Sequence, residues 1–114
     1  MVEDHAATAR ALRRFLEASG YPVEVANDMK SALKVASTIQ FEVLVCDLNL
    51  PDGTGWELRE KLSARMPVKA VAFSAYGEPE HVARSKTAGL TEHIVKGASP
   101  DALVAAIARV AACA

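Results

Sequence analysis

Residues 41–55 have the sequence FEVLVCDLNLPDGTG, and this stretch decides the fold. Its first six residues, 41–46, are almost continuously apolar, which indicates a β-strand buried on both faces, as in a parallel sheet. Asp47 follows the strand, and residues 48–55 are rich in Asn, Pro, Asp and Gly, which favour loops. The stretch therefore predicts a buried strand with an acidic side chain at its carboxyl end.

Strand and helix patterns alternate on both sides of this stretch. Short apolar runs predict further strands over residues 21–26, 68–73 and 92–95. Apolar residues at helical spacing, together with capping residues, predict helices over residues 6–19, 27–39 (with Asn27 as the cap), 56–65, between Pro79 and Gly89, and from Ser99 onward. This alternation predicts an α/β domain with a parallel sheet and right-handed crossovers.

Length and composition restrict the function classes. The chain has 114 residues, which predicts a single domain over residues 1–114. Thirteen basic and fourteen acidic residues give a net charge of −1, so direct binding to nucleic acid is not expected. Two cysteines, Cys46 and Cys113, are too few for a disulfide framework or a structural zinc site and favour a reducing, cytoplasmic location. No membrane-spanning run and no signal peptide are predicted.

Polar residues follow the predicted strands at the points where ligands bind to parallel α/β sheets. Asp47, Ser74 and Lys96 each come directly after an apolar strand, and Glu3 and Asp4 precede the first helix. Taken singly, each has an ordinary explanation as a cap, turn or surface residue. Together at one edge they predict a cluster of carboxylates beside a hydroxyl and an ammonium group.

This combination of groups suits phosphoryl transfer. Clustered carboxylates repel one another, so one of them must be protonated or a cation must lie among them. Oxygen ligands with an open rim suit Mg²⁺. A lysine neutralises phosphoryl oxygens, and a hydroxyl donates a hydrogen bond to one of them. Neither a GxxxxGKS nor a GxGxxG loop is present, so a nucleotide is not the expected phosphoryl donor.

The chain resembles the receiver domains of bacterial two-component response regulators, the CheY-like superfamily. The resemblance covers essentially the whole chain and lies in the Glu3-Asp4 pair and in the segments VLVCDLNLPDGTG, AVAFSAY and HIVKG. It implies a flavodoxin-like, doubly wound sheet of strand order 2-1-3-4-5 with helices on both faces. It also implies that Asp47 is the phospho-accepting residue, with Mg²⁺ held by Glu3, Asp4, Asp47 and the backbone carbonyl of Asn49.

The same resemblance implies roles for three further residues. Lys96 would contact the phosphoryl group, and Ser74 would hydrogen-bond to it and move inward when it is present. His93 falls at the family's rotating aromatic position, which reports phosphorylation to a downstream protein on the face of the fourth helix and fifth strand. The donor would be a phosphohistidine of a histidine kinase or of a histidine phosphotransfer protein. The domain would be a phosphoryl acceptor that assists its own phosphorylation and dephosphorylation, with no direct contact to nucleic acid or membrane.

Two other functions are consistent with parts of the pattern. A phosphatase of the haloacid-dehalogenase type also uses an aspartate at a strand end, but it needs a second acid two residues later, where this chain has Asn49. A degenerate receiver that is never phosphorylated would act as an interaction module. The retained Asp4, Asp47, Ser74 and Lys96 argue against that alternative.

Two positions depart from the family's pattern. Gly97 follows Lys96 where the family usually has a proline with a cis peptide bond. The family's first strand is reduced to Met1-Val2, although this strand is central in the order 2-1-3-4-5. Because a missing central strand leaves neighbouring strands unpaired, we expect an N-terminally abbreviated domain of marginal stability, or a fragment of a hybrid kinase.

Overall fold

The structure is a computed structural model, and it describes residues 1–66, 68–74, 90–95 and 100–112. Its elements in chain order are α1 (Ala6–Ala18), α2 (Met29–Ala36), β1 (Val43–Asp47), β2 (Asn49–Leu50), β3 (Gly53–Thr54), α3 (Gly55–Ser63), β4 (Lys69–Ser74), β5 (Leu90–Val95) and α4 (Pro100–Ala112). The helix predicted between Pro79 and Gly89 and the predicted cap Ser99 lie outside the described residues.

The main sheet is parallel and has the order β1-β4-β5. Val2 extends it on the far side of β1, since it bridges both Cys46 and Ala26 in parallel orientation. The sheet therefore places residue 26, residue 2, β1, β4 and β5 side by side, which is the predicted order 2-1-3-4-5. The predicted doubly wound α/β fold is confirmed.

The core consists of two apolar clusters, one on each face of the sheet. Alternate residues of β1 point to opposite faces, so that Leu44 and Cys46 belong to one cluster and Val45 to the other. Helices α2 and α3 cover the first face, and α1 and α4 cover the second. Burial on both faces explains why β1 is almost continuously apolar.

The N-terminal end of the sheet differs from the prediction. Residues 21–25 do not form a strand, and only Ala26 has a ladder partner, so the strand predicted over residues 21–26 is wrong as an extended element. Its neighbour, residues 1–3, is too short to pair with more of it. The backbone nitrogen of Met1 nevertheless donates to the carbonyl oxygen of Glu24 at 2.8 Å, and burial lowers the pKa of this ammonium group.

The helices begin and end at identifiable residues. Gly20, at φ of +95°, follows the end of α1 and confirms the predicted stop, because glycine adopts positive φ without strain. Helix α2 is shorter than the predicted 27–39, and its N-cap is Asp28, not Asn27. The Asp28 carboxylate accepts a hydrogen bond from the backbone nitrogen of Ser31 at 2.7 Å.

Among the described residues, no helix has the length and apolar character needed to cross a bilayer.

The Asp28 cap can be tested against its neighbour. Asp28→Ala should lower the melting temperature by a few degrees, because α2 loses the acceptor for one of its first N–H groups. Asn27→Ala is the matched control and should leave the melting temperature nearly unchanged. Thermal unfolding followed by circular dichroism measures both. Equal effects of the two substitutions would contradict the assignment of the cap.

The Asp28 cap also predicts that its contribution to the stability of the fold depends on pH. The hydrogen bonds from Ser31 hold the pKa of Asp28 below its ordinary value of 3.8. A carboxyl whose folded pKa is lowered stabilises the fold above its unfolded pKa, and this contribution is lost as the pH falls through the folded value. The difference in melting temperature between the wild type and Asp28→Ala should therefore shrink as the pH drops below 3.8.

Candidate functional site

Three carboxylates converge at the carboxyl end of β1. Asp47 is the last residue of this strand, and Glu3 and Asp4 directly follow Val2 on the neighbouring position of the sheet. One carboxylate oxygen from each residue lies within 4.8 Å of the other two. The structure therefore brings the predicted acidic residues together.

The cluster combines burial with like charge. Glu3 and Asp47 are only 1% and 4% exposed, whereas Asp4 is exposed to solvent. Because buried like charges repel each other in a medium of low dielectric constant, a bound cation would stabilise the ionised form of the cluster. Asp4 lies on the open side, where solvent and a ligand have access.

The donor set fits Mg²⁺. All three groups offer hard carboxylate oxygens, which this ion prefers, and the exposed side of the cluster leaves room for the waters that it retains. Two oxygens bound to one Mg²⁺ at about 2.1 Å are at most about 4.2 Å apart. The ligand atoms of Glu3, Asp4 and Asp47, which lie within 4.8 Å of one another, are close to that limit.

The carboxylate of Asp47 is held by its own loop. Its Oδ1 accepts a hydrogen bond from the backbone nitrogen of Asn49 at 3.0 Å, an interaction between residues two apart that is typical of Asx turns. The backbone nitrogen of Asp47 donates to the carbonyl of Val2 at 2.9 Å. Both main chain and side chain of Asp47 are thus fixed at the sheet edge.

The loop returns to β1 through a close approach at Gly55. A Cβ atom at this position would lie 2.5 Å from the carbonyl oxygen of Asp47 and 3.1 Å from the sulfur of Cys46. The backbone nitrogen of Gly55 donates to the carbonyl of Leu48 at 3.1 Å. Glycine is required here because no side chain fits between the start of α3 and the end of β1.

Asp52 fastens the tip of the loop to a second element. Its two carboxylate oxygens accept hydrogen bonds from the backbone nitrogens of Met29 and Lys30, at 2.8 and 3.0 Å. These donors are at the N-terminus of α2, where the helix dipole also favours a negative charge. The sequence analysis treated Asp52 as a loop residue only, since its partners are 22 and 23 positions away and no local spacing indicates the contact.

The other predicted site residues occupy neighbouring strand ends or lie outside the described part. Ser74 is the last residue of β4, directly after Phe73, the register partner of Asp47. His93 is half-buried in β5, opposite Ala72. β5 ends at Val95, and Lys96, the next residue, lies outside the described residues.

The thiol of Cys46 is a core group. It is fully buried, and this burial raises its pKa to about 12. A thiol with such a pKa is protonated at neutral pH and is a poor nucleophile or metal ligand. Cys46 therefore packs the core beside the site and takes no part in its chemistry.

The architecture is that of an open parallel α/β sheet, a class of domains that bind ligands beyond the carboxyl ends of the strands, and the carboxylate cluster lies at that edge. Residues 1–108 match the family described as "Response regulator receiver domain". The chain belongs to this family.

Relatives and solved structures agree with this assignment. The chain is 29% identical over 108 residues to the acid tolerance regulatory protein ActR of Rhizobium meliloti, covering 94% of this chain and 56% of the relative. It is 30% identical to a CheY-like response regulator receiver domain protein of Methanospirillum hungatei, with a TM-score of 0.87 and coverage of 96% and 89%. The chain spans about half the length of the curated relatives it matches.

A second similar solved structure contains a phosphorylated aspartic acid. It is a response regulator protein of Burkholderia pseudomallei with a phosphorylated aspartic acid, a calcium ion and citrate. This chain is 27% identical to it, with a TM-score of 0.84 and coverage of 92% of this chain and 62% of the other.

The close approach at Gly55 leads to a prediction. Gly55→Ala should displace the loop from β1 and lower the melting temperature, because the added methyl group would overlap the Asp47 carbonyl oxygen. Amide chemical shifts of Asn49 and Gly53 should change with it. Glu60→Ala, an exposed position on the same helix, is the control and should change neither. Unaltered shifts and stability in Gly55→Ala would show that the loop tolerates a side chain there.

Proposed function

We propose that this domain accepts a phosphoryl group from a phosphohistidine onto Asp47 in a Mg²⁺-dependent reaction. The observation that supports this most directly is the convergence of Glu3, Asp4 and Asp47 oxygens within 4.8 Å at the carboxyl edge of the sheet. Burial of like charges destabilises a fold, and a cation bound among these carboxylates would offset that cost.

In the proposed transfer, a carboxylate oxygen of Asp47 attacks the phosphorus atom. An O–P bond forms, the N–P bond of the phosphohistidine breaks, and the electron pair of that bond stays on the imidazole nitrogen, which takes up a proton. The hydrogen bond from the Asn49 nitrogen holds the Asp47 carboxylate in one orientation, so that little entropy is lost when the donor docks.

Glu3, Asp4 and Asp47, with the backbone carbonyl of Asn49, are the residues that would hold Mg²⁺. The ion would supply positive charge to the phosphoryl oxygens as the transfer proceeds. Asp4 is the exposed member of the set, and Glu3 accepts a hydrogen bond from the backbone nitrogen of His5 at 3.1 Å. That bond fixes the segment that carries both acids.

The remaining predicted residues complete the proposal. Ser74 at the end of β4 would hydrogen-bond to the phosphoryl group, and Lys96, which follows β5, would neutralise its charge. His93 in β5 would change orientation with Ser74 and alter binding of a downstream protein. The donor would be a histidine kinase or a histidine phosphotransfer protein. The compartment implied is the cytoplasm, where thiols such as that of Cys46 stay reduced.

The acceptor is tested by intact-mass spectrometry after incubation with a small-molecule phosphodonor and Mg²⁺. The wild type should gain one phosphoryl group, and Asp47→Asn should gain none, because the amide is not a nucleophile. Asp101→Asn, an exposed aspartate in the first turn of α4, is the matched control and should be labelled like the wild type. Labelling of Asp47→Asn would overturn the assignment, and an unlabelled wild type would favour the degenerate receiver.

The metal site is tested by titration calorimetry with Mg²⁺. Asp4→Asn should weaken binding by about tenfold or more, since the removed charge lies in a cluster where an ionic contact contributes more than about 1.4 kcal/mol. Glu60→Gln, an exposed acid on α3, should bind Mg²⁺ with unchanged affinity. If Asp4→Asn also binds with unchanged affinity, Asp4 is not a ligand.

A further inference from the structure

The first three N–H groups of α2 all donate to carboxylates. The helical ladder starts with the bond from the nitrogen of Ala32 to the carbonyl of Asp28 at 3.0 Å, so the nitrogens of residues 29–31 precede it. The side chain of Asp28 accepts from residue 31, and the two oxygens of Asp52 accept from residues 29 and 30. One helix end thus holds two carboxylates, one from the residue before the helix and one from the loop after β1.

Asp52 lies at the tip of a short hairpin formed by β2 and β3. These strands pair through Asn49 with Thr54 and through Leu50 with Gly53, so Asp52 falls in the connecting turn. A two-stranded hairpin is at best marginally stable by itself and needs packing against other elements. The position of this hairpin therefore depends on the groups that it contacts.

The hairpin also contacts α2 through apolar groups. A Cβ atom at Gly53 would lie 2.6 Å from the Cε of Met29, so the methyl group of Met29 lies directly against the hairpin backbone. Leu50 is buried in the same core cluster that Met29 packs against. The hydrogen bonds of Asp52 and these apolar contacts together hold the hairpin against the start of α2.

The other end of the hairpin lies at the carboxylate cluster. The backbone nitrogen of Asn49, the first residue of β2, donates to Oδ1 of Asp47 at 3.0 Å. The backbone carbonyl of Asn49 is the group that we propose as a Mg²⁺ ligand. A displacement of the hairpin would therefore move both the hydrogen bond that orients Asp47 and a proposed ligand of the metal.

We infer that Asp52 is a positioning residue for the carboxylate site, because its hydrogen bonds to α2 keep the backbone of Asn49 against Asp47. The part of the inference that concerns Mg²⁺ rests on the proposed function. If the ion binds only when the hairpin is in place, its apparent affinity falls in proportion to the fraction of molecules in that state. A carboxylate that acted as a helix cap alone would stabilise α2 and leave Asn49 unaffected.

The two carboxylates at the start of α2 provide matched variants. Asp28→Ala and Asp52→Ala each remove one negative charge from the same helix end, so both should lower the melting temperature and reduce long-range attraction of cations similarly. Asp52→Ala alone removes a bond between α2 and the hairpin. Asp52→Asn is the conservative variant, since its carbonyl oxygen can accept one of the two hydrogen bonds and its NH₂ group cannot accept the other.

Amide hydrogen exchange in the absence of metal is the first measurement. The amide of Asn49 should exchange about threefold faster or more in Asp52→Ala than in the wild type, and by a smaller factor in Asp52→Asn. In Asp28→Ala it should exchange at the wild-type rate. An unchanged rate in Asp52→Ala, or an equal acceleration in Asp28→Ala, would overturn the inference.

Titration calorimetry with Mg²⁺ at about 0.15 M salt, where distant charges are largely screened, is the second measurement. Asp52→Ala should bind the ion about threefold more weakly than Asp28→Ala, or weaker still, with Asp52→Asn between them. Equal affinities of the two alanine variants would overturn the inference and leave the proposed function intact. A wild type that binds no Mg²⁺ would overturn the proposed function, and the exchange of the Asn49 amide would then decide the positioning role by itself.

Discussion

The backbone hydrogen bonds of Val2 hold together the edge of the sheet at which the carboxylates of Glu3, Asp4 and Asp47 lie. Val2 donates to Val45 and accepts from Asp47, at 2.7 and 2.9 Å, while Glu3 donates to Ala26 at 2.9 Å. The two bonds of Val2 join the start of the chain to the end of β1, more than 40 positions away, and the bond of Glu3 joins it to Ala26. Without them, Glu3 and Asp4 would have no defined position relative to Asp47, and the carboxylate cluster would not exist.

This dependence connects metal binding with stability. The cluster places the charges of Glu3 and Asp47 in a buried environment, where their repulsion opposes the pairing that positions them. A bound cation would remove that repulsion, and a ligand that binds only the folded state stabilises it. The pairing of residues 1–3 and the acidic site are therefore energetically coupled, and a bound metal ion would favour the folded domain.

The loop after β1 shows how a scaffold fixes the carboxylate of Asp47, the proposed phosphoryl acceptor. Asn49 orients the Asp47 side chain, Gly55 allows the loop to return against β1, and Asp52 fastens the tip to the N-terminus of α2. Each contact uses backbone groups, which have little freedom once the sheet and α2 are formed. The loop is thus held at both ends, which would keep Asp47 in place for the proposed transfer.

Local patterns in the sequence determined much of this protein. The apolar run before Asp47 identified β1 and its burial on both faces, and the strand and helix alternation identified the parallel sheet, because both depend on periodicity within a few residues. The strand-end rule then indicated that Glu3, Asp4 and Asp47 belong to one edge. The roles of Asn49, Ser74, His93 and Lys96 came from the family resemblance.

Only the tertiary structure decided the features that depend on distant partners. The segment at 21–26 has strand-like residues but forms one bridge, because a strand needs a neighbour and residues 1–3 are too few. Asn27 and Asp28 are both good capping residues, and the path of the chain into α2 selected Asp28. The Asp52 contact arises between segments far apart in sequence, where hydrophobic periodicity and capping patterns carry no information.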